Sequence, residues 1–193
     1  MTRLSDYDTS RTTEAVVKES HRITPNDVPE VRSILLGIAH HGFSYRTGQN
    51  IGITVPGAQA FGQEQHFRLY TIANSPRQAE NGEVEIELCV RRCFYIDEVS
   101  GEEYPGLASN YLCDIRPGDQ IAFTGPYGDA FVIPEDPETN LLMIGSGTGI
   151  APFRAFIQHI YEKQPEWHGK VRLFYGARTG TENTYHNNMK DDM

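Results

Sequence analysis

Arg68 and Tyr70 stand two residues apart in His66-Phe67-Arg68-Leu69-Tyr70-Thr71-Ile72-Ala73-Asn74-Ser75. Strand alternation would put Arg68, Tyr70 and Ile72 on one face and Phe67, Leu69 and Thr71 on the other. A cation and an aromatic ring then point the same way. The planar fork of Arg68 suits a pyrophosphate, and Tyr70 offers a ring and a hydroxyl to a flat heterocycle. Thr71 adds a hydroxyl from the opposite face, or the backbone beside it. Asn74-Ser75-Pro76 turns the chain away. Taken alone, the stretch equally describes an ordinary barrel strand with an exposed arginine.

Two further stretches could hold anions. Gly145-Ser146-Gly147-Thr148-Gly149-Ile150-Ala151-Pro152 follows the apolar run Asn140-Leu141-Leu142-Met143-Ile144 and precedes Phe153, Phe156, Ile157, Ile160 and Tyr161, the spacing of an amphipathic helix. Pro152 suits a first helical turn. Val171-Arg172-Leu173-Phe174-Tyr175-Gly176 reads as the next strand, which makes strand, Gly-rich turn, helix, strand a βαβ unit. Its apolar first strand is expected to be covered on both faces. Glycines there let a backbone approach a dinucleotide or flavin closely. Ile150 stands where the usual dinucleotide fingerprint has its third Gly, so a purely structural turn is the competing reading. The second stretch is a short helix at Ser109-Asn110-Tyr111-Leu112-Cys113, introduced by Pro105-Gly106-Leu107-Ala108 and closed by Arg116-Pro117-Gly118-Asp119. With Ser109 as N-cap, its first amides form an anion site or simply a capped connector.

The elements that position these residues are mostly strands. They are expected near Ala15-Ile23, Val31-Ile38, Ile51-Val55, His66-Ile72, Glu83-Arg91 and Gln120-Thr124, with turn signals between them such as Asn81-Gly82. The fifth alternates most clearly, with Val84, Ile86, Leu88 and Val90 on one face and Glu83, Glu85, Glu87 and Cys89 on the other. Six short strands without long helices between them predict an antiparallel barrel. The two-proline acidic stretch Pro134-Glu135-Asp136-Pro137-Glu138 marks the boundary between a barrel domain, 1–137, and the start of an α/β nucleotide-binding domain, 138–193.

Composition narrows the function classes. A net charge of −9 argues against a nucleic-acid partner. No apolar run is long enough to span a membrane, and the first residues carry no apolar signal core, so a cytoplasmic location is expected. Cys89, Cys93 and Cys113 are an odd number with no second ligand pair, which favours small buried thiols over a disulfide framework or a metal site.

Together these stretches resemble the plant-type ferredoxin–NADP reductase family of flavoproteins, in order, over nearly all of Ile51 to Met193. Arg68-Leu69-Tyr70-Thr71 is similar to the family's flavin signature Arg-x-Tyr-Ser/Thr. Cys89-Val90-Arg91-Arg92-Cys93-Phe94-Tyr95 resembles the segment whose final Tyr stacks on the adenine of FAD. Gly106-Leu107-Ala108-Ser109-Asn110-Tyr111-Leu112 looks like the pyrophosphate-binding helix start, and Gly145 to Arg154 resembles the nicotinamide-side turn, with Gly147, Thr148 and Gly149 at the cofactor.

The resemblance implies an FAD-binding antiparallel barrel followed by part of a Rossmann-like domain, with NADP(H) as co-substrate. It implies that Arg68 binds the pyrophosphate, Tyr70 packs on the isoalloxazine, and Thr71 bonds near flavin N5. Tyr95 would stack on adenine, and Ser109 with neighbouring amides would hold phosphate. Thr148 would lie between flavin and nicotinamide, and Arg91 would serve nucleotide or partner docking. Ala108 stands where the plant enzymes carry Cys, so only the backbone role carries over there. A doubly wound sheet needs about five or six strands and two are predicted before Met193. The expectation is therefore a fragment, inactive by itself, of an enzyme that moves electrons between NADPH and ferredoxin or flavodoxin. The competing readings are the reductase component of a multi-component oxygenase, such as an aromatic CoA-thioester epoxidase, and a non-catalytic flavin-binding or interaction module.

Overall fold

The computed structural model describes residues 7–39, 42–57, 64–129 and 131–185. Strands β1 (Thr12–Arg22), β2 (Val31–Ile38), β3 (Asn50–Pro56), β4 (Gln65–Thr71), β6 (Val84–Arg91) and β9 (Gln120–Tyr127) are the six expected from the sequence. All pair antiparallel, in the order β4-β3-β9-β1-β2-β6. The two outer strands meet where the chain leaves β4. Ile72 bridges Leu88 of β6, and the Ala73 N–H donates to the Glu87 carbonyl at 2.7 Å. Short strand β5 (Arg77–Gln78) extends the β6 edge, and β7 (Phe94–Ile96) pairs with β8 (Glu103–Pro105) as a separate ribbon. These three pieces lie below the length at which alternation is readable.

Period-two alternation fills the interior. Val84, Ile86, Leu88 and Val90 all face the core, as expected, alongside Ile34, Leu36, Ile51, Ile53 and Phe123. On β4 the ring of Phe67 lies outside, packed beside Tyr7 and Tyr127 and over Gly52, where a Cβ would collide with it. Helix α1 (Leu107–Asp114) contributes Leu112 to the core, fully buried. Burying a side chain of that size contributes roughly 1.5–3 kcal/mol.

Two expectations are corrected here. Helix α1 begins at Leu107, with an extended Gly106 (φ −67°, ψ 117°) as N-cap, so Ser109 is not the cap but lies in the first turn. The reason is local. Gly106 donates its N–H to the Cys93 carbonyl at 2.8 Å, and the helix starts directly after β8. Second, β10 (Leu141–Ser146) pairs in parallel with β11 (Val171–Gly176), but only one face of β10 is covered among the described residues. Met143 is buried, whereas Leu142 and Ile144 are 64% and 70% exposed.

Between β10 and β11 run a 3₁₀ turn (Gly147–Ile150) and helix α2 (Ala151–Lys163), with Pro152 in its first turn as expected. Phe156 and Ile160 are buried, but Tyr161, expected on the apolar stripe, is exposed. The polar side of α2 meets the barrel instead. Ser75 donates its N–H to Gln158 Oε1 at 3.2 Å and its hydroxyl to Glu162 Oε2 at 2.6 Å, and Thr47 Oγ1 lies 2.9 Å from His159 Nδ1. No described helix is long and apolar enough to cross a membrane.

Candidate functional site

A cleft of about 870 Å³ runs from the β7/β8 ribbon, past the start of α1 and the ends of β4 and β6, to the Gly147–Ile150 turn. It brings together nearly all the expected site residues. Arg68, Leu69, Tyr70 and Thr71 line it from β4, Cys89 and Arg91 from β6, Tyr95 from the ribbon, Gly106 to Ser109 from α1, and Thr148 and Gly149 from the turn. Val90 does not join them, because its side chain faces the barrel interior. Gly147 shapes the turn from outside the lining, at φ +54°, with its carbonyl accepting from the Tyr175 hydroxyl at 3.1 Å. That left-handed backbone is where glycine costs least.

The cleft favours a negative group. Arg68 and Arg91 have no carboxylate partner among the described residues, whereas Arg32, Arg77, Arg92 and Arg154 all do. Arg68 reaches only the Phe67 carbonyl beside it, at 3.0 Å. No side chain caps α1, so its first-turn amides and positive dipole end meet the cleft. The Ser109 hydroxyl is already committed, donating to the Gly106 carbonyl at 3.1 Å and accepting from the Cys93 N–H at 3.2 Å. What Ser109 offers a ligand is its backbone. Arg92 fixes the helix by bonding Asn110 Oδ1 at 2.8 Å, Asp114 Oδ1 at 2.7 Å and Glu30 Oε2 at 2.7 Å. Burial pushes the Glu30 carboxyl up, but hydrogen bonds from Arg32 and Arg92 outweigh it and hold it below the usual range.

The cleft also has two aromatic surfaces. Tyr70 is half-buried against the barrel core, and burial pushes its phenol up, so the hydroxyl keeps its proton at neutral pH. Beside it Thr71 donates its hydroxyl to Asn50 Oδ1 at 2.6 Å, which leaves the Thr71 oxygen as an acceptor. On the ribbon Tyr95 stacks on its register partner Tyr104, with centroids 5.4 Å apart and planes at 20°. At the turn, a Cβ on Gly149 would meet nothing within 4 Å, so backbone faces open space.

Sequence reasoning missed four contributors. Tyr104 sits in a strand too short to show a period, and Asn50 and Arg154 are ordinary polar residues until the fold places them. Glu87, the fourth, was assigned to the outer face of β6, and that face is covered here. The residue is 6% exposed. It accepts from Ser33 Oγ at 2.6 Å, Arg154 Nη1 at 2.7 Å and the Tyr185 hydroxyl at 3.3 Å.

The three thiols divide by position. Cys89 and Cys113 are buried, and that burial pushes them up to about 12 and about 11, while Cys93 is exposed at the cleft. A thiol reagent is expected to modify Cys93 quickly in the native protein, the other two only on unfolding, and Cys93 more slowly once the cleft is filled. Mass mapping of the modified cysteines checks this; rapid native labelling of Cys89 would contradict the burial.

Two family models match the chain: an oxidoreductase FAD-binding domain over residues 15–131 and an oxidoreductase NAD-binding domain over residues 143–191. The chloroplastic ferredoxin–NADP reductase of Spinacia oleracea is 36% identical over 168 residues, covering 85% of this chain and 45% of that protein. The ferredoxin–NADP reductase of Thermosynechococcus vestitus is 38% identical over 150 residues, covering 76% and 39%. The chain thus spans about half the length of the curated relatives it matches, 46% for the leaf isozyme 1 of Arabidopsis thaliana. Among solved structures, ferredoxin-NADP+ reductase from Plasmodium falciparum with 2'P-AMP aligns at a TM-score of 0.71 with 22% identity, covering 94% of this chain and 67% of that one, a likeness of fold. Amycolatopsis cytochrome P450 reductase GcoB aligns at 0.65 with 30% identity, covering 91% and 46%.

Proposed function

We propose, because this chain belongs to the family of oxidoreductase FAD-binding domains, that it holds FAD in the cleft and serves electron transfer between NADPH and ferredoxin or flavodoxin. The observation that carries this reading is one cleft joining Arg68 and Arg91, neither paired with a carboxylate among the described residues, the start of α1, Tyr70 and the open Thr148–Gly149 turn. FAD, when bound, supplies the chemistry that couples a two-electron hydride donor to single-electron release. The protein's part is binding, orientation and control of protons.

Arg68 and the amides of residues 107 to 109 neutralise the pyrophosphate, and Arg91 adds charge beside it. The Tyr95 ring, backed by Tyr104, offers adenine a flat surface, and Leu69, Cys89 and Ala108 close the walls. Tyr70 covers the isoalloxazine and excludes water from it. The Thr71 oxygen, its proton held by Asn50, would offer a hydrogen-bond acceptor to a flavin held there. Thr148 and Gly149 would leave room for a nicotinamide at the turn.

The proposal divides the chain at 137/138 and includes a cytoplasmic location, which three unbridged cysteines support. The identity shared with the Amycolatopsis P450 reductase favours a second reading in which the acceptor is an oxygenase component. Both readings share the residues above. Releasing the cofactor from purified protein and chromatographing it is expected to yield FAD. FMN alone would overturn the roles given to Tyr95 and α1.

A further inference from the structure

The site described so far lies on two bodies, the barrel and the unit containing α2, and the Thr148 turn can face Tyr70 only if their relative position is held. One buried cluster stands at that seam. Arg154, on the first turns of α2, donates through Nη1 to Glu87 Oε2 at 2.7 Å and to the Ala73 carbonyl at 3.0 Å. Its guanidinium lies 4.6 Å from the centroid of the Tyr185 ring, whose hydroxyl donates to the same carboxylate. Tyr185 takes φ +56°, a left-handed backbone that a tyrosine adopts only where its contacts hold it. Ala73 and Glu87 are also the residues whose backbones join the barrel's two edges. The Asn74 side chain completes the joint, accepting from the Glu87 N–H at 2.6 Å and donating to the Glu85 carbonyl at 3.0 Å.

We infer that Glu87 and Arg154 are a positioning pair that fixes the nicotinamide-side turn over the flavin-side strand, an inference that rests on the function proposed above. Neither residue lines the cleft, so neither would touch a flavin held there. Their effect passes through geometry. Arg154 lies a few residues beyond Thr148 on continuous 3₁₀ and α-helical backbone, and Ala73 lies just past the end of the strand that carries Tyr70 and Thr71. One guanidinium therefore grips both sides of the gap that a hydride must cross. A buried carboxylate with three donors holds its charge in place, and removing one partner leaves the other uncompensated.

The chain's single tryptophan, Trp167, follows α2 and reports on that unit, while strand circular dichroism reports on the barrel. In the wild type the two signals are expected to unfold together in urea. In Glu87→Gln and in Arg154→Met, Trp167 is expected to unfold first, and the double variant to add little to either single one. Arg154→Met lies outside the barrel and serves if Glu87→Gln does not fold. Non-coincident transitions in the wild type, or coincident ones in both variants, would overturn the inference. With FAD loaded, the variants are expected to retain flavin as the wild type does but to show bleaching by NADPH slowed roughly tenfold or more. Unchanged bleaching would likewise overturn the positioning role. If the wild type binds FAD yet NADPH does not bleach it, as expected of residues inactive by themselves, the FAD reading stands and the Trp167 comparison alone decides whether the pair locks the two bodies.

Discussion

Arg68→Ala is expected to raise the dissociation constant for FAD by roughly 10- to 100-fold, because a charge-assisted bond to phosphate contributes about 1.5–3 kcal/mol. Arg77→Ala is the control. From the sequence Arg77 has no partner; the structure corrects this and pairs its Nε with Glu85 at 2.8 Å, outside the cleft. A half-exposed pair of that kind is worth about 0–1 kcal/mol, so its loss should leave flavin binding within about twofold. Titration of apoprotein with FAD, followed by flavin absorbance, makes the comparison. Equal retention by both variants would remove the pyrophosphate from Arg68 and the core of the reading with it.

Tyr70→Ser should weaken FAD binding by a similar factor and also alter the bound spectrum. The ring supplies apolar area and aromatic contact, together about 2–3 kcal/mol, and its removal admits water beside the isoalloxazine. Since Tyr70 also packs on the barrel core, a drop of a few degrees in Tm is expected with the fold retained. Bound-flavin absorbance and thermal unfolding measure the two effects separately. An unchanged spectrum and affinity would place the ring elsewhere.

How much of this was legible in the sequence depended on the range of the signal. Val84, Ile86, Leu88 and Val90 announced a strand because alternation is written within eight residues, and the glycines at 145, 147 and 149 announced a tight turn because backbone sterics act locally. The fate of Glu87 could not be read that way. Whether the outer face of β6 meets water or Arg154 is decided by an element that follows much later in the chain. The same applies to α2. Its polar residues Arg154, Gln158 and Glu162 recur every four positions, a pattern indistinguishable from a solvated face until Ser75 and Glu87 are placed opposite. Ser109 failed for a different reason, since hydroxyl residues favour both the cap and the first turn, and Gly106 took the cap here.

The strand order has a kinetic consequence. Strand β9 lies between β1 and β3, so it joins a β3/β4 hairpin to a β1/β2/β6 sheet, and Thr12 pairs with Thr124 only after nearly the whole barrel sequence has been synthesised. Arg68 and Tyr70 ride on one of these halves, Arg91 and Tyr95 on or just after the other. The β1/β2 and β3/β4 pairs can assemble early from near neighbours and Ile72 can meet Leu88 across a short loop, whereas β2 must find β6 across the intervening strands, and the step that seats β9 closes the longest loop and should be slow. A ligand held between β4 and β6 needs both strands fixed in the closed sheet, so the moment at which flavin becomes tightly protein-bound during refolding should time the last joining of the barrel rather than its first collapse.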